Sequence, residues 1–194
     1  MSTSQSKRKR SVKKRPAIHP RVHRSTTALR NSLQVLLKRR SIEKISIRDI
    51  AAGADVGYTT FFRHYPTKEA LLDDLAKDEI TQLLELTTPI FDPDNTQSAS
   101  VAFCNYVDER RELWGALLAG AAGTMREVMI KKSRAMIVTY PRPVSWLPPE
   151  LGTTIVVSSI IEILTWWLSQ KKPVPADQVA EILNKIAIYP ISHD

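Results

Sequence analysis

Residues 47–72 read IRDIAAGADVGYTTFFRHYPTKEALL, and this stretch decides the fold. Ser46 precedes it as a helix N-cap, Asp49 stands at the third helical position as a shortened capping-box partner, and Ile45 and Ile50 flank the cap as a hydrophobic staple. A short helix over residues 47–53 is therefore expected. Ala54, Asp55 and Val56 make a turn, Gly57 opens a second short helix running to about His64, and Pro66 closes it. Thr67 caps a longer helix from Lys68 to about Thr87, with Ala70, Leu71, Leu75, Ile80, Leu83 and Leu84 as its inward stripe. Two short helices joined by a three-residue turn, set in a basic segment, have the form of a helix-turn-helix, in which the first helix braces the second across a DNA major groove.

Upstream, Ala28, Leu29, Leu33, Val35, Leu36 and Leu37 recur at helical spacing with basic residues opposite. They predict an amphipathic helix from Arg21 to near Arg40. Residues 1–20 are Ser, Lys and Arg with Pro16 and Pro20, a like-charge block read as a disordered arm. Downstream, Pro89 and the Asp92-Pro93-Asp94 turn end the long helix. Further helices are expected over about 96–109, 111–119, 124–140, 150–169 and 175–188, with no convincing alternating strand. The 150–169 helix is apolar nearly all round, so it needs cover on several sides, and a second subunit is a natural source.

Charge divides the chain the same way. Of 28 basic and 20 acidic residues, 17 basic and 3 acidic fall in residues 1–68, which leaves an acidic remainder. A basic front on an acidic body suits a polyanion-binding head. With 43% hydrophobic residues the chain can bury a core. The single cysteine, Cys104, forbids an intramolecular disulfide and a multi-cysteine zinc site, and fits a reducing compartment. No signal peptide is visible, and the most apolar stretch, 151–168, is interrupted by hydroxyls and Glu162. The expectation is a soluble, cytoplasmic protein without a membrane partner.

The run from Ile47 to Leu72 closely resembles the DNA-binding signature of the tetracycline-repressor (TetR) family. The resemblance covers roughly residues 25–75, and its most specific part is the aromatic-Arg-His-aromatic-Pro-Thr-Lys-Glu-Ala-Leu run that starts at Phe62. It implies an all-α homodimer in which a three-helix DNA-binding head precedes a larger ligand-binding and dimerising body. The corresponding division is an arm over 1–20, a helix-turn-helix domain over 21–66 and a body over 67–194, with the helix from residue 67 linking the two. Three positions depart from the family pattern. Asp55 replaces a common turn glycine, which is tolerable because Asp enters the left-handed region more readily than most residues. Gly57 replaces a hydroxyl cap, and Phe62 replaces a frequent tyrosine.

The candidate DNA-binding residues are Ser46, Arg48, Gly57, Tyr58, Thr59, Thr60, Arg63, His64 and Lys68. Lys68, at the first turn of a capped helix, combines an ammonium with free N–H groups as a phosphate clamp, and Ser46 can offer a second helix start in the same way. Thr60 and His64 are candidates for further backbone contacts, though His64 also reads as a packed interfacial ring and Arg63 as a surface ion-pair partner. Gly57, Tyr58 and Thr59 stand at the front of the second short helix, where base edges would be met. Phe61 and Tyr65 read as core. The arm fits both a solvated tail and a minor-groove contact by the cluster from Lys7 to Arg15.

In the body, Phe103, Tyr106, Trp114, Met125, Met129, Trp146, Glu162 and Trp166 are candidates for lining an apolar ligand cavity, although such residues also build cores. Adjacent Trp166 and Trp167 must face different ways on a helix. For Glu162 a ligand handle, an interfacial ion pair and an exposed edge all fit. His19, His23, His64 and His193 form no catalytic or metal-binding pattern, and no phosphate loop, HExxH or nucleophile elbow occurs, so neither an enzyme nor a cofactor is expected. The expected function is a sequence-specific transcriptional regulator, a repressor released by a small-molecule effector from a double-stranded operator. The alternative is a non-specific nucleic-acid or membrane-surface adaptor acting through the arm.

Overall fold

A computed structural model describes residues 20–86, 95–139 and 146–192. All the regular structure among these residues is helical: α1 (Pro20–Leu37), a 3-10 turn (Ile42–Lys44), α2 (Ile47–Gly53), α3 (Tyr58–His64), α4 (Lys68–Leu86), α5 (Thr96–Asp108), α6 (Arg111–Gly120), α7 (Ala122–Thr139), α8 (Pro149–Ser169), α9 (Ala176–Leu183), a π-helical turn (Asn184–Ile188) and α10 (Tyr189–Ser192). The expected arm and the Asp92-Pro93-Asp94 turn lie outside the described residues.

The first three helices enclose Leu29, Leu33, Ile45, Ile50 and Phe61, each almost wholly buried. Helices α1 and α2 cross at close range: Ser32, buried on α1, donates to the Ile50 carbonyl at 2.8 Å. A Cβ on Gly53 would run into the Ser32 hydroxyl oxygen, so a side chain there would have to turn Ser32 away from its bond to Ile50. From this head the buried apolar cluster continues without a break through Leu71, Leu75, Ile80 and Leu83 of α4 into the body.

In the body α5 packs along α9, α7 lies on α8 and against α4, and α6 touches α1, α4 and α8. Helix α8 buries a stripe of Val157, Ile160, Ile161, Leu164 and Trp167, at the spacing one helix face demands. Its other side keeps Leu151, Ile155 and Trp166 exposed. By length and composition α8 would also pass for a membrane span, but its inward stripe is joined to the body core.

Three local features differ from expectation. The stretch between α1 and α2 contains the 3-10 turn, because Ile42 and Ile45 are both drawn into the core and the intervening chain must tighten. The first helix stops at Leu37 rather than near Arg40. The last long helix gives way after Leu183 to a π turn, which places Asn184, Ala187 and Ile188 inward together, and a short helix follows.

Candidate nucleic-acid interface

Local chemistry sets the first half of the site. The Ser46 hydroxyl accepts from the Asp49 N–H at 3.1 Å, and the Asp49 carboxylate accepts from the Ser46 N–H at 3.0 Å, so the start of α2 is a complete capping box. The Ser46 hydroxyl also donates to the same carboxylate at 2.9 Å, which commits its proton locally. These bonds from Ser46, backbone first, hold the Asp49 carboxyl below its ordinary range.

Helix α2 ends in a Schellman motif. The Val56 N–H reaches the Ala51 carbonyl at 3.0 Å, the Asp55 N–H reaches Ala52 at 3.1 Å, and Asp55 adopts φ 51°. Asp55 thus performs the left-handed turn that a glycine would otherwise supply. Gly57 then caps α3 through its backbone, its carbonyl accepting from the Thr60 N–H at 2.8 Å.

Helix α3 has two distinct faces. Phe61 and Tyr65 point inward, and the Tyr65 hydroxyl donates to Asp74 of α4 at 2.5 Å. Arg30 of α1 donates to the same carboxylate oxygen at 2.8 and 2.7 Å, so one acid ties three helices together. Burial and the neighbouring Asp74 push the Tyr65 phenol far above its usual range, which keeps it a donor. Outward stand Tyr58, 47% exposed, and Phe62, 44% exposed, with Thr59 and Arg63 also open to solvent and Thr60 partly covered. The two rings meet edge to face at 5.2 Å, and the Arg48 guanidinium lies over Tyr58 at 5.6 Å. Arg48, Tyr58, Thr59, Phe62 and Arg63 are therefore on one open face.

Two candidates are engaged internally. His64 Nε2 lies 2.7 Å from the Ser25 hydroxyl of α1. Its pKa is lowered, first by partial burial and then by Arg63. The Lys68 ammonium points back into the head, donating to the carbonyls of Ile42, Ile45 and Glu43 at 2.7, 3.0 and 3.5 Å. The ammonium is thus engaged by the 3-10 turn and the residue that follows it, and the phosphate clamp expected of this side chain is not poised in this arrangement. Helix α4 itself is capped as expected, its Ala70 N–H bonding the Thr67 hydroxyl at 3.1 Å. Phe62 was missed as a surface candidate. Its signal was available, because residue 62 lies one helical turn beyond Tyr58 while Phe61 alone fills the core position.

The eight body candidates divide between the core and the surface. Phe103, Tyr106, Trp114, Met125 and Met129 are packed into the core, whereas Trp146 is 79% exposed and Glu162 and Trp166 lie on the open side of α8. Glu162 and Trp166 are one helical turn apart, so they share a face that Trp167 does not. Trp167 turns inward and donates its indole N–H to the Val174 carbonyl at 2.9 Å.

A three-helix head with a capped turn and an open recognition helix, carried on a larger helical body, defines a helix-turn-helix transcriptional regulator. The family model described as bacterial regulatory proteins, tetR family, matches residues 35–75. Among curated proteins none matches the chain. Solved structures extend the likeness over most of the chain. A TetR transcriptional regulator from Streptococcus agalactiae 2603V shares 20% identity, with 87% of this chain and 96% of that one covered and a TM-score of 0.59. One from Rhodococcus sp. RHA1 shares 13%, covering 85% and 93%, with a TM-score of 0.64. RolR in complex with resorcinol shares 21%, covering 88% and 91%, with a TM-score of 0.59. The head thus matches the TetR-family model over residues 35–75, and the overall fold is that of these regulators.

Proposed function

We propose that the protein is a repressor that binds a near-palindromic operator as a homodimer and leaves it when a small molecule occupies the body. The observation that carries this reading is the open face of α3. Tyr58 and Phe62 are large, exposed and mutually packed, with Arg48 and Arg63 beside them, on a helix whose inner face is locked to α1 and α4. A rigid helix with a mixed aromatic and basic outer face suits a major groove. Tyr58 and Thr59 meet base edges, Phe62 packs on thymine methyls or sugars, and Arg48 and Arg63 bind phosphates.

Lys68 and Ser46 contribute differently from a simple clamp. With the Lys68 ammonium held by carbonyls and the Ser46 hydroxyl held by Asp49, the helix starts themselves present N–H groups to phosphates. Gly57 lies at the start of α3 for the same use, the Thr60 hydroxyl adds a backbone contact, and His64 positions α3 through Ser25. The arm over 1–20 adds sequence-independent affinity, the head over 21–66 reads, and the body over 67–194 dimerises and responds.

The exposed Leu151, Ile155 and Trp166 of α8 are the dimer face in this reading, and two heads so joined must stand about 34–36 Å apart to enter successive major grooves. A ligand in the body that tilts α4 changes that separation and so weakens operator binding. The same fold holding resorcinol in RolR favours a small-molecule effector. The protein would act in the cytoplasm, where its DNA lies. Selection of bound fragments from a genomic library tests the reading: a shared palindromic motif preferred over random DNA by roughly 10³ or more is expected. Indiscriminate binding that depends on residues 1–20 would refute it.

A further inference from the structure

The seam between head and body holds a groove of about 410 Å³ that none of the roles above uses. Its walls include Gln34 and Val35 of α1, Glu79 of α4, and Arg110, Glu112 and Leu113 at the start of α6. Glu79 is only 2% exposed. One carboxylate oxygen accepts from the Gln34 amide at 3.2 Å and the other from the Tyr106 hydroxyl at 2.9 Å. Among the described residues no ion pair involves Glu79.

The nearby cation is occupied elsewhere. The Arg110 guanidinium lies 3.9 Å over the Tyr106 ring, donates to the Tyr106 carbonyl at 3.3 Å and pairs with Glu109 at 3.3 Å. Lys38 also lines the groove but is exposed just beyond the end of α1. A buried carboxylate with hydrogen bonds but no paired cation carries an uncompensated desolvation cost. Burial accordingly raises the Glu79 pKa, with Tyr106 and Arg110 opposing. Val35 and Leu113 supply apolar wall beside this charge.

We propose that the groove is a binding site for a small organic cation, an ammonium or amidinium on a short apolar body, whose charge pairs with Glu79 while the body rests on Val35 and Leu113. The site is distinct from the body core and from the α3 face. Because it lies between α1 of the head and α4 and α6 of the body, an occupant bridges the two. Its binding does not depend on any reading of DNA and is measured without DNA.

The test uses the full chain and three probes of one shape at matched ionic strength: benzylammonium, benzyl alcohol and benzoate, followed by calorimetry. Saturable binding of benzylammonium, about tenfold or more tighter than the alcohol, is expected, with benzoate weakest. Glu79→Gln keeps an acceptor for Tyr106 and should lose the preference for the ammonium over the alcohol. Val35→Trp fills the groove from an exposed helix position and should lose all three probes with Glu79 intact. If Glu79→Gln does not unfold cooperatively, the Val35→Trp comparison decides alone. Equal affinity for ammonium and alcohol in the unaltered chain would overturn the proposal, as would a preference that survives Glu79→Gln or binding that survives Val35→Trp.

Discussion

The ammonium of Lys68 donates to the carbonyl oxygen of Ile42 at 2.7 Å, across 26 residues of sequence. A cation at the first turn of α4 thereby braces the 3-10 turn in front of α2, adding a second donor to the Ile42 carbonyl and one to the Ile45 carbonyl. The side chain is a strut inside the head, its charge spent on backbone carbonyls.

Removing this strut should cost stability first. Lys68→Ala leaves the Ile45 carbonyl without its ammonium donor and removes the second donor to Ile42, and is expected to destabilise the fold by roughly 1–3 kcal/mol in chemical denaturation. Affinity should fall on every DNA sequence alike, while the slope of log K against log salt changes by less than about one. A full unit of slope would mean that the ammonium leaves its carbonyls for a phosphate.

Tyr58→Ala removes an exposed ring and should change stability by no more than about 0.5 kcal/mol. Its effect belongs to recognition: the ranking of operator variants should change in a binding selection. Phe62→Ala, which takes away the edge that steadies Tyr58, should shift the same positions more weakly. Uniform loss across all variants would remove Tyr58 from the reading role.

The His64 ring bonded to Ser25 makes head stability pH-dependent. Its folded pKa lies below the ordinary 6.5, so the neutral ring is favoured by folding. The contribution is complete above about pH 6.5 and is lost as pH falls through the lowered folded value. Thermal melts from pH 7.5 down to 5 should show a decline that His64→Gln reduces. An unchanged profile in the variant would assign the decline to other groups.

Ile155→Glu and Trp166→Glu place charges on the open side of α8, away from its core stripe. Both should leave the far-ultraviolet dichroism unchanged and shift the protein to monomer in sedimentation. Operator affinity should fall by at least an order of magnitude, because two half-sites no longer act together. A dimer that persists in both variants would place the interface elsewhere.

What was legible in the sequence is what neighbouring residues decide among themselves. The Ser46–Asp49 capping box, the left-handed Asp55, the Thr67 cap and the inward spacing of Leu71, Leu75 and Ile80 involve residues a few positions apart, where helical periodicity and single side-chain bonds suffice. The all-α class and the helix-turn-helix followed from these alone. The candidate site was half legible in the same sense. Exposure of Tyr58 and Thr59 follows from their place at the front of a short helix, but the fate of Lys68 and His64 does not. Their partners, Ile42 and Ser25, lie 26 and 39 residues away. Tertiary structure alone decided that Asp74 joins Arg30 to Tyr65, that Glu79 is buried on the seam between head and body, and that Trp114 lies in the core while Trp166 stays exposed. Such pairings depend on the distance and angle at which whole helices cross, and those are set by the summed packing of the core rather than by any local run of residues.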